Sequence, residues 1–216
     1  MNRLLFIFFL WTVLAFRFDK TKSIRIDSNL KKLGTSEKLA NVLSYSSDTT
    51  VIPFDDTSYK LTLHVFNVNE DDPQINNTTL TFRRRKKNGL EILFSDSLYC
   101  MFSEIEFQDF NNDKIKDVLV FYYTGGRANP TYHLYLTDLQ NRKLIRVKEF
   151  EELPNPILDT LNNIITSVAL AGMNYYYSFY RINDKNKLVS LGHGFEADLN
   201  DSAQYENAIQ AILKKQ

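Results

Sequence analysis

The sequence has a single cysteine, Cys100, among 216 residues. One thiol forms no internal disulfide, so stability has to come from a core and from any metal the chain holds. Cys100 stands in the apolar stretch Leu98-Tyr99-Cys100-Met101-Phe102, where it reads as a small buried hydrophobe and not as a reactive thiol. An excess of charge is missing too: 26 Lys and Arg meet 26 Asp and Glu. That balance gives no overall electrostatic reason to expect nucleic acid or a membrane surface as partner. Histidine is scarce and scattered, at His64, His133 and His193. No His-Glu-x-x-His, no Gly-x-Ser-x-Gly and no phosphate-cradling glycine loop occurs. The chain therefore reads as non-catalytic. The enzymatic alternative left open is a glycosidase-type carboxylate pair, Glu104 or Glu106 with an aspartate. Internal repeats are also missing, which argues against a propeller or a calcium-dependent array.

What the chain does contain leans toward sheet. Sixteen Phe and 12 Tyr stand against one Trp, and aromatic residues favour pleated, half-buried surfaces. The N-terminus reads separately. Asn2-Arg3 supplies a short positive region, residues 4–14 form an apolar run broken only by Thr12, and Val13-Leu14-Ala15 offers modest side chains for a peptidase. This predicts a signal peptide over residues 1–15, with a run too short for a comfortable membrane span. An uncleaved anchor is the alternative, because Phe16-Arg17-Phe18 makes an untidy site. Residues 16–58 are polar and weakly periodic, and form a poorly defined N-terminal segment.

From residue 59 to 216 the pattern predicts one β domain. Leu61, Leu63 and Val65 alternate with Thr62, His64 and Phe66, and Thr79-Leu80-Thr81-Phe82-Arg83 alternates likewise. Leu90-Glu91-Ile92-Leu93-Phe94 follows across Lys87-Asn88-Gly89, and Asn-Gly between two such runs predicts a hairpin with positive φ at both turn positions. The basic block Arg83-Arg84-Arg85-Lys86-Lys87 falls on this hairpin. It reads as a solvated edge that resists aggregation, with contact to an anionic polymer as the alternative. Further strand-like runs begin at Ile105, Val118, Tyr132, Lys143, Ile164, Tyr175 and Lys187, the last two joined by Asn183-Asp184-Lys185-Asn186. Short strands at close spacing predict a mainly β fold, a single sandwich-like or strongly twisted antiparallel domain. A short C-terminal helix over about 202–214 closes it. Asp201 would cap the helix, and Tyr205, Ala208, Ile209 and Ile212 share one face.

One constellation carries chemistry. Residues 109–117 read Asp-x-Asn-x-Asp-x-Ile-x-Asp. Side-chain oxygens of Asp109, Asn111, Asp113 and Asp117, with the Ile115 carbonyl, stand at alternate positions. Ca²⁺ takes six to eight hard oxygen ligands, and alternate residues of a tightly curled loop point their oxygens inward. An EF-hand fits badly: position twelve is Val120 where a bidentate glutamate belongs, and the exit is strand-like. A β-type calcium loop fits better. Lys114 stands at the sixth position, where glycine would supply a left-handed turn at lower cost. A metal-free loop of Asx turns is the alternative.

Beyond this loop, the stretch from Phe107 to Leu191 resembles a family. Its marks are Asp109 to Asp117, the strand Val118 to Tyr123, Gly125-Gly126…Asn129 followed by Tyr132-His133-Leu134-Tyr135, then Leu153-Pro154-Asn155-Pro156…Asp159, Ile165 to Ser167, and Gly172…Tyr177…Tyr180…Leu188. These resemble the periplasmic immunity proteins that neutralise lysozyme-like effectors of type IV secretion systems. Those proteins are similar to periplasmic lysozyme inhibitors, and their loop is similar to that of FG-GAP/VCBS modules. The resemblance implies a β fold, calcium as a structural ligand, no catalysis, a periplasmic or secreted location and a muramidase as partner. On this reading the loop Thr124 to Pro130 would enter the partner's cleft, with Gly125, Gly126, Arg127 and Asn129 as partner-binding residues. Arg127 would pair with a carboxylate there; a plain interstrand loop with a solvated arginine is the alternative. A carbohydrate- or surface-binding module using the tyrosines around Tyr175-Tyr176-Tyr177 and Tyr180 is the second functional reading.

Overall fold

Period-two alternation builds the first sheet. The computed structural model describes residues 47–215, apart from 54, 55, 69, 126 and 198–201. The signal segment, most of residues 16–58, Gly126 and the helix cap Asp201 therefore lie outside the described residues. Strands β1 (Ser47–Val51), β2 (Tyr59–Val65), β3 (Thr78–Lys86) and β4 (Gly89–Leu98) pair antiparallel in that order. Leu61, Leu63, Leu80 and Phe82 all face inward, because alternate residues of a strand share a face. β1 extends the sheet into a segment that sequence alone left undefined.

The β3–β4 hairpin forms where expected, with one difference. Lys86 already pairs with Gly89, so the turn is Lys87-Asn88. Gly89 opens β4 at φ 129, and Asn88 does not take a positive φ. The register then shifts between Phe82, which pairs with Phe94, and Arg83, which pairs with Ile92. Leu93 is the extra residue of a β-bulge. Without it, Leu90 and Ile92 would share the inward face of Phe94; with it, they turn outward.

The second sheet is β5 (Ile105–Gln108), β6 (Asp117–Thr124), β7 (Pro130–Asp138) and β8 (Lys143–Val147), again antiparallel in chain order. The 3-10 turn Phe150–Glu152 leads to the third sheet. Its strands are β9 (Ile157–Asp159), β10 (Ile164–Ala171), β11 (Asn174–Ile182), β12 (Leu188–Ser190) and β13 (Phe195–Ala197). β11 pairs with β10 on one side and with both β12 and β13 on the other. Gly194 precedes β13 because any Cβ there would meet the Tyr177 carbonyl at 2.9 Å. Helix α1 (Ser202–Leu213) follows.

Three cores separate four layers. Val118, Val120, Tyr135 and Leu144 of the second sheet pack on Leu61, Leu63, Leu80 and Phe82 of the first. Leu119, Leu134, Leu136 and Val147, on the opposite face, pack with Leu158, Ile165 and Ile182 of the third. Ile164 and Phe179 then cover Ala208, Ile209 and Ile212 of α1. The second sheet is thus buried on both faces, which explains why β6 reads as an unbroken apolar run. The protein is mainly β, a stack of antiparallel sheets with a short C-terminal helix. Among the described residues no helix is long and apolar enough to cross a membrane.

Candidate metal loop and partner-facing tip

The loop between β5 and β6 is wound by its own side chains. Asp109 accepts the Asp113 N–H at 3.3 Å through one oxygen and the Lys114 N–H at 2.8 Å through the other. Asn111 accepts the Asp113 N–H at 3.3 Å, and Asp113 accepts the Ile115 N–H at 2.7 Å. The Asn111 amide donates to the second Asp113 oxygen at 2.9 Å. Short acidic and amide side chains favour such turns over regular structure. Asp117 roots the loop: it is fully buried, accepts the Phe110 N–H at 2.8 Å and the Thr137 N–H at 3.0 Å, and so ties β6 to β7. The Thr137 hydroxyl donates to the Lys116 carbonyl at 2.9 Å. Burial pushes the Asp117 carboxyl up to about 7; the two N–H donors oppose this, and the charges of Asp113 and Asp109 add to it.

The donor set suits a hard cation in kind and order. Lys114, at the sixth position, has φ 71, the left-handed turn that such loops ordinarily give to glycine. Asp109 and Asp113 both crowd Asp117 electrostatically, a repulsion that a divalent cation would relieve. The loop is nevertheless not drawn to one point: among the described residues no three His, Cys, Asp or Glu side chains gather as a metal site. The oxygens face the loop's own N–H groups, and each retains acceptor capacity for a further partner. Asn112, also left-handed at φ 61, donates to the Thr160 carbonyl at 3.1 Å. That bond joins the loop to the β9–β10 turn, a link that local spacing could not reveal.

The tip between β6 and β7 is held from behind. Thr124 pairs with Pro130 across its neck, and the Ala128 N–H donates to the Gly125 carbonyl at 3.2 Å. Asn129 turns inward: its amide donates to the Leu170 carbonyl at 3.0 Å and its oxygen accepts the Leu170 N–H at 2.9 Å. It thereby mimics a strand neighbour for the end of β10. Asn155 adds a second clamp, donating to Asn129 at 3.1 Å and to the Val168 carbonyl at 2.8 Å. Asn129, half-buried, therefore braces the tip from behind. Arg127 does present itself: it is exposed and makes no ion pair among the described residues. Its Nη1 lies 3.6 Å from where a Gly172 Cβ would stand, and Gly172 itself has φ 71. The β10–β11 turn thus lies directly beside the arginine.

The other polar cluster is internal. His133 is 2% exposed. Its Nε2 lies 3.1 Å from the Tyr99 carbonyl and its Nδ1 lies 3.0 Å from Arg146. Nε2 must therefore carry the hydrogen, and the ring is neutral. Arg146 also donates to Glu151 at 2.9 Å and to Asp96 at 3.3 Å, and the Tyr135 hydroxyl donates to Asp96 at 2.9 Å. The second Glu151 oxygen is buried without a hydrogen-bond partner. Burial, and then the Arg146 charge, hold His133 down to about 4. Cys100 is buried with its thiol pushed up to about 12 by burial. Two tyrosines of β11 serve packing: Tyr177 stacks on Phe195 at 4.8 Å and Tyr180 lies against the second core.

A scan against protein-family models, a search of curated proteins and a search of solved structures each return no match. The class is accordingly set by fold and site: an antiparallel β protein with an oxygen-rich loop and a braced, arginine-bearing tip.

Proposed function

We propose that the chain is an exported, non-catalytic, calcium-binding β protein of the bacterial envelope, and that it acts as an inhibitor or immunity protein against a lysozyme-like muramidase. The observation that supports this most is Arg127, an exposed guanidinium that makes no ion pair among the described residues, beside a neck braced by Asn129 and Asn155. A muramidase cleft holds paired carboxylates. An arginine can engage one of them bidentately, and a loop whose neck is already held by hydrogen bonds loses less entropy on entering. The test is wall lysis by candidate muramidases with added protein. The wild type is expected to slow lysis, and Arg127→Ala to weaken inhibition at least about tenfold. If both leave lysis equally unaffected, the inhibitor reading falls.

Calcium belongs to this reading as a structural ligand. Asp109, Asn111, Asp113, Asp117 and the Ile115 carbonyl would hold it, and it would supply charge balance for three carboxylates on one loop. The left-handed Lys114 supports this; a non-glycine residue there costs on the order of 1 kcal/mol. Calcium is expected to raise the melting temperature, and Asp113→Ala to abolish the rise. A wild-type melt unchanged between calcium and chelator would remove the metal from the account. The carbohydrate-module reading has less support, because Tyr177 and Tyr180 are committed to packing and only Tyr176 of the set is exposed, at 42%.

A further inference from the structure

We infer that the outer face of the first sheet, at its β3–β4 hairpin end, is a peripheral contact surface for anionic lipid membranes. The face lies opposite the core formed by Leu61 and Leu80 and is covered by none of the three clusters. Lys60 and Arg83 are direct cross-strand partners. Like charges so placed repel and destabilise the pair, and neither makes an ion pair among the described residues. Arg85 and Lys87 are exposed beside them. Of the acids nearby, Glu91 is taken by Lys86 at 2.7 Å, Asp48 by His64, and Asp56 is bound to Ser58 and lies within electrostatic reach of Arg84. A positive field is therefore left standing although the chain as a whole is neutral.

The second observation is aliphatic. Ile52, Leu90 and Ile92 are 56%, 50% and 60% exposed, and Leu90 and Ile92 pair with Arg85 and Arg83. The bulge at Leu93 puts them there; a regular strand would have sent both into the core. Ile52, Leu90, Lys60 and Arg85 together line a cleft of about 490 Å³. Cations interleaved with exposed aliphatic side chains match an interface of anionic headgroups over acyl chains. Glycans and single-stranded nucleic acids are bound by stacking on aromatic rings. The one described ring at this end, Tyr59, is stacked on Phe82 at 5.4 Å and covered by Arg84 at 5.7 Å.

The test is co-sedimentation of the full chain with phosphatidylcholine vesicles, with and without phosphatidylglycerol. Each cation at such a surface is worth about 1 kcal/mol, or about fivefold in affinity. The wild type is expected to bind vesicles containing phosphatidylglycerol more tightly than pure phosphatidylcholine vesicles. Arg83→Ser with Arg85→Ser should weaken binding about 25-fold, and Leu90→Ser with Ile92→Ser at least about tenfold. The apolar residues 4–14 are common to all versions, so pure phosphatidylcholine vesicles report their contribution. Undiminished binding by the arginine variant would overturn the inference. So would a serine variant that still binds phosphatidylglycerol vesicles fully, since that would point to a soluble polyanion as ligand.

Discussion

Asp117→Ala is expected to lower the unfolding free energy by about 3 kcal/mol or more, with or without calcium. The side chain is fully buried and is the acceptor for two main-chain donors, Phe110 and Thr137. Alanine would leave both N–H groups without a partner, and each buried donor left alone costs about 1–3 kcal/mol. Asp113 is the informative contrast. It is exposed and binds only within the loop, so Asp113→Ala should cost less than about 1 kcal/mol in chelator while removing the calcium effect. Urea unfolding of both variants in calcium and in chelator separates the two roles. An Asp117→Ala midpoint matching the wild type in chelator would show that the root of the loop is not the support proposed.

The second large effect is acid sensitivity. His133 has a folded value of about 4 against an ordinary value of 6.5. Because the folded value is depressed, the unfolded chain takes up the proton first as pH falls. The stability contributed by the neutral ring is fully present above pH 6.5 and is lost progressively toward pH 4, up to about 3 kcal/mol. A proton on Nδ1 would face the Arg146 guanidinium that now donates to it, and would disturb the bonds from Arg146 to Glu151 and Asp96. The raised Asp117 carboxyl works with the opposite sign: it opposes folding at high pH, and that penalty fades as pH falls. His133→Gln isolates the histidine, because an amide can donate to Tyr99 and accept from Arg146 without titrating. Its stability should fall less steeply between pH 7 and 4. Parallel wild-type and variant curves would sink this assignment.

Much of the fold was legible because alternation is a direct readout of which side chains face inward. Leu61-x-Leu63 and Leu80-x-Phe82 gave their strands at once, and Tyr205, Ala208, Ile209 and Ile212 gave the helix. Alternation does not say what an inward face packs against, so a stack of three sheets could not be told from a single sandwich. Ser47 to Val51 was hidden because its outward Asp48 and Thr50 make a polar edge strand. Ile157–Asp159 and Phe195–Ala197 were too short for a periodic signal. The hairpin turns one residue earlier than Asn88-Gly89 implies, since Gly89 already pairs with Lys86. The bulge at Leu93 left no mark at all, because Leu90, Ile92 and Phe94 alternate perfectly in sequence. The loop's oxygen spacing was local and therefore readable. The bond that anchors Asn129 to Leu170 spans 41 residues, and the Asn112–Thr160 bond spans 48. Contacts at that separation carry no sequence signature in a single chain.

The order of the strands has one more consequence. Each sheet is made of consecutive strands, so every sheet can begin to form as soon as its own stretch of chain emerges during synthesis. Yet no sheet is independent: after residue 98 the first sheet still holds Leu61, Leu63, Leu80 and Phe82 open to water until β6 and β7 arrive. The second sheet then carries a second bare face, Leu119, Leu134 and Leu136, until Ile165 and Ile182 cover it. A chain stopped between layers would expose a sticky sheet, and its slowest amide exchange would be expected in the strands of the middle layer once the last is in place.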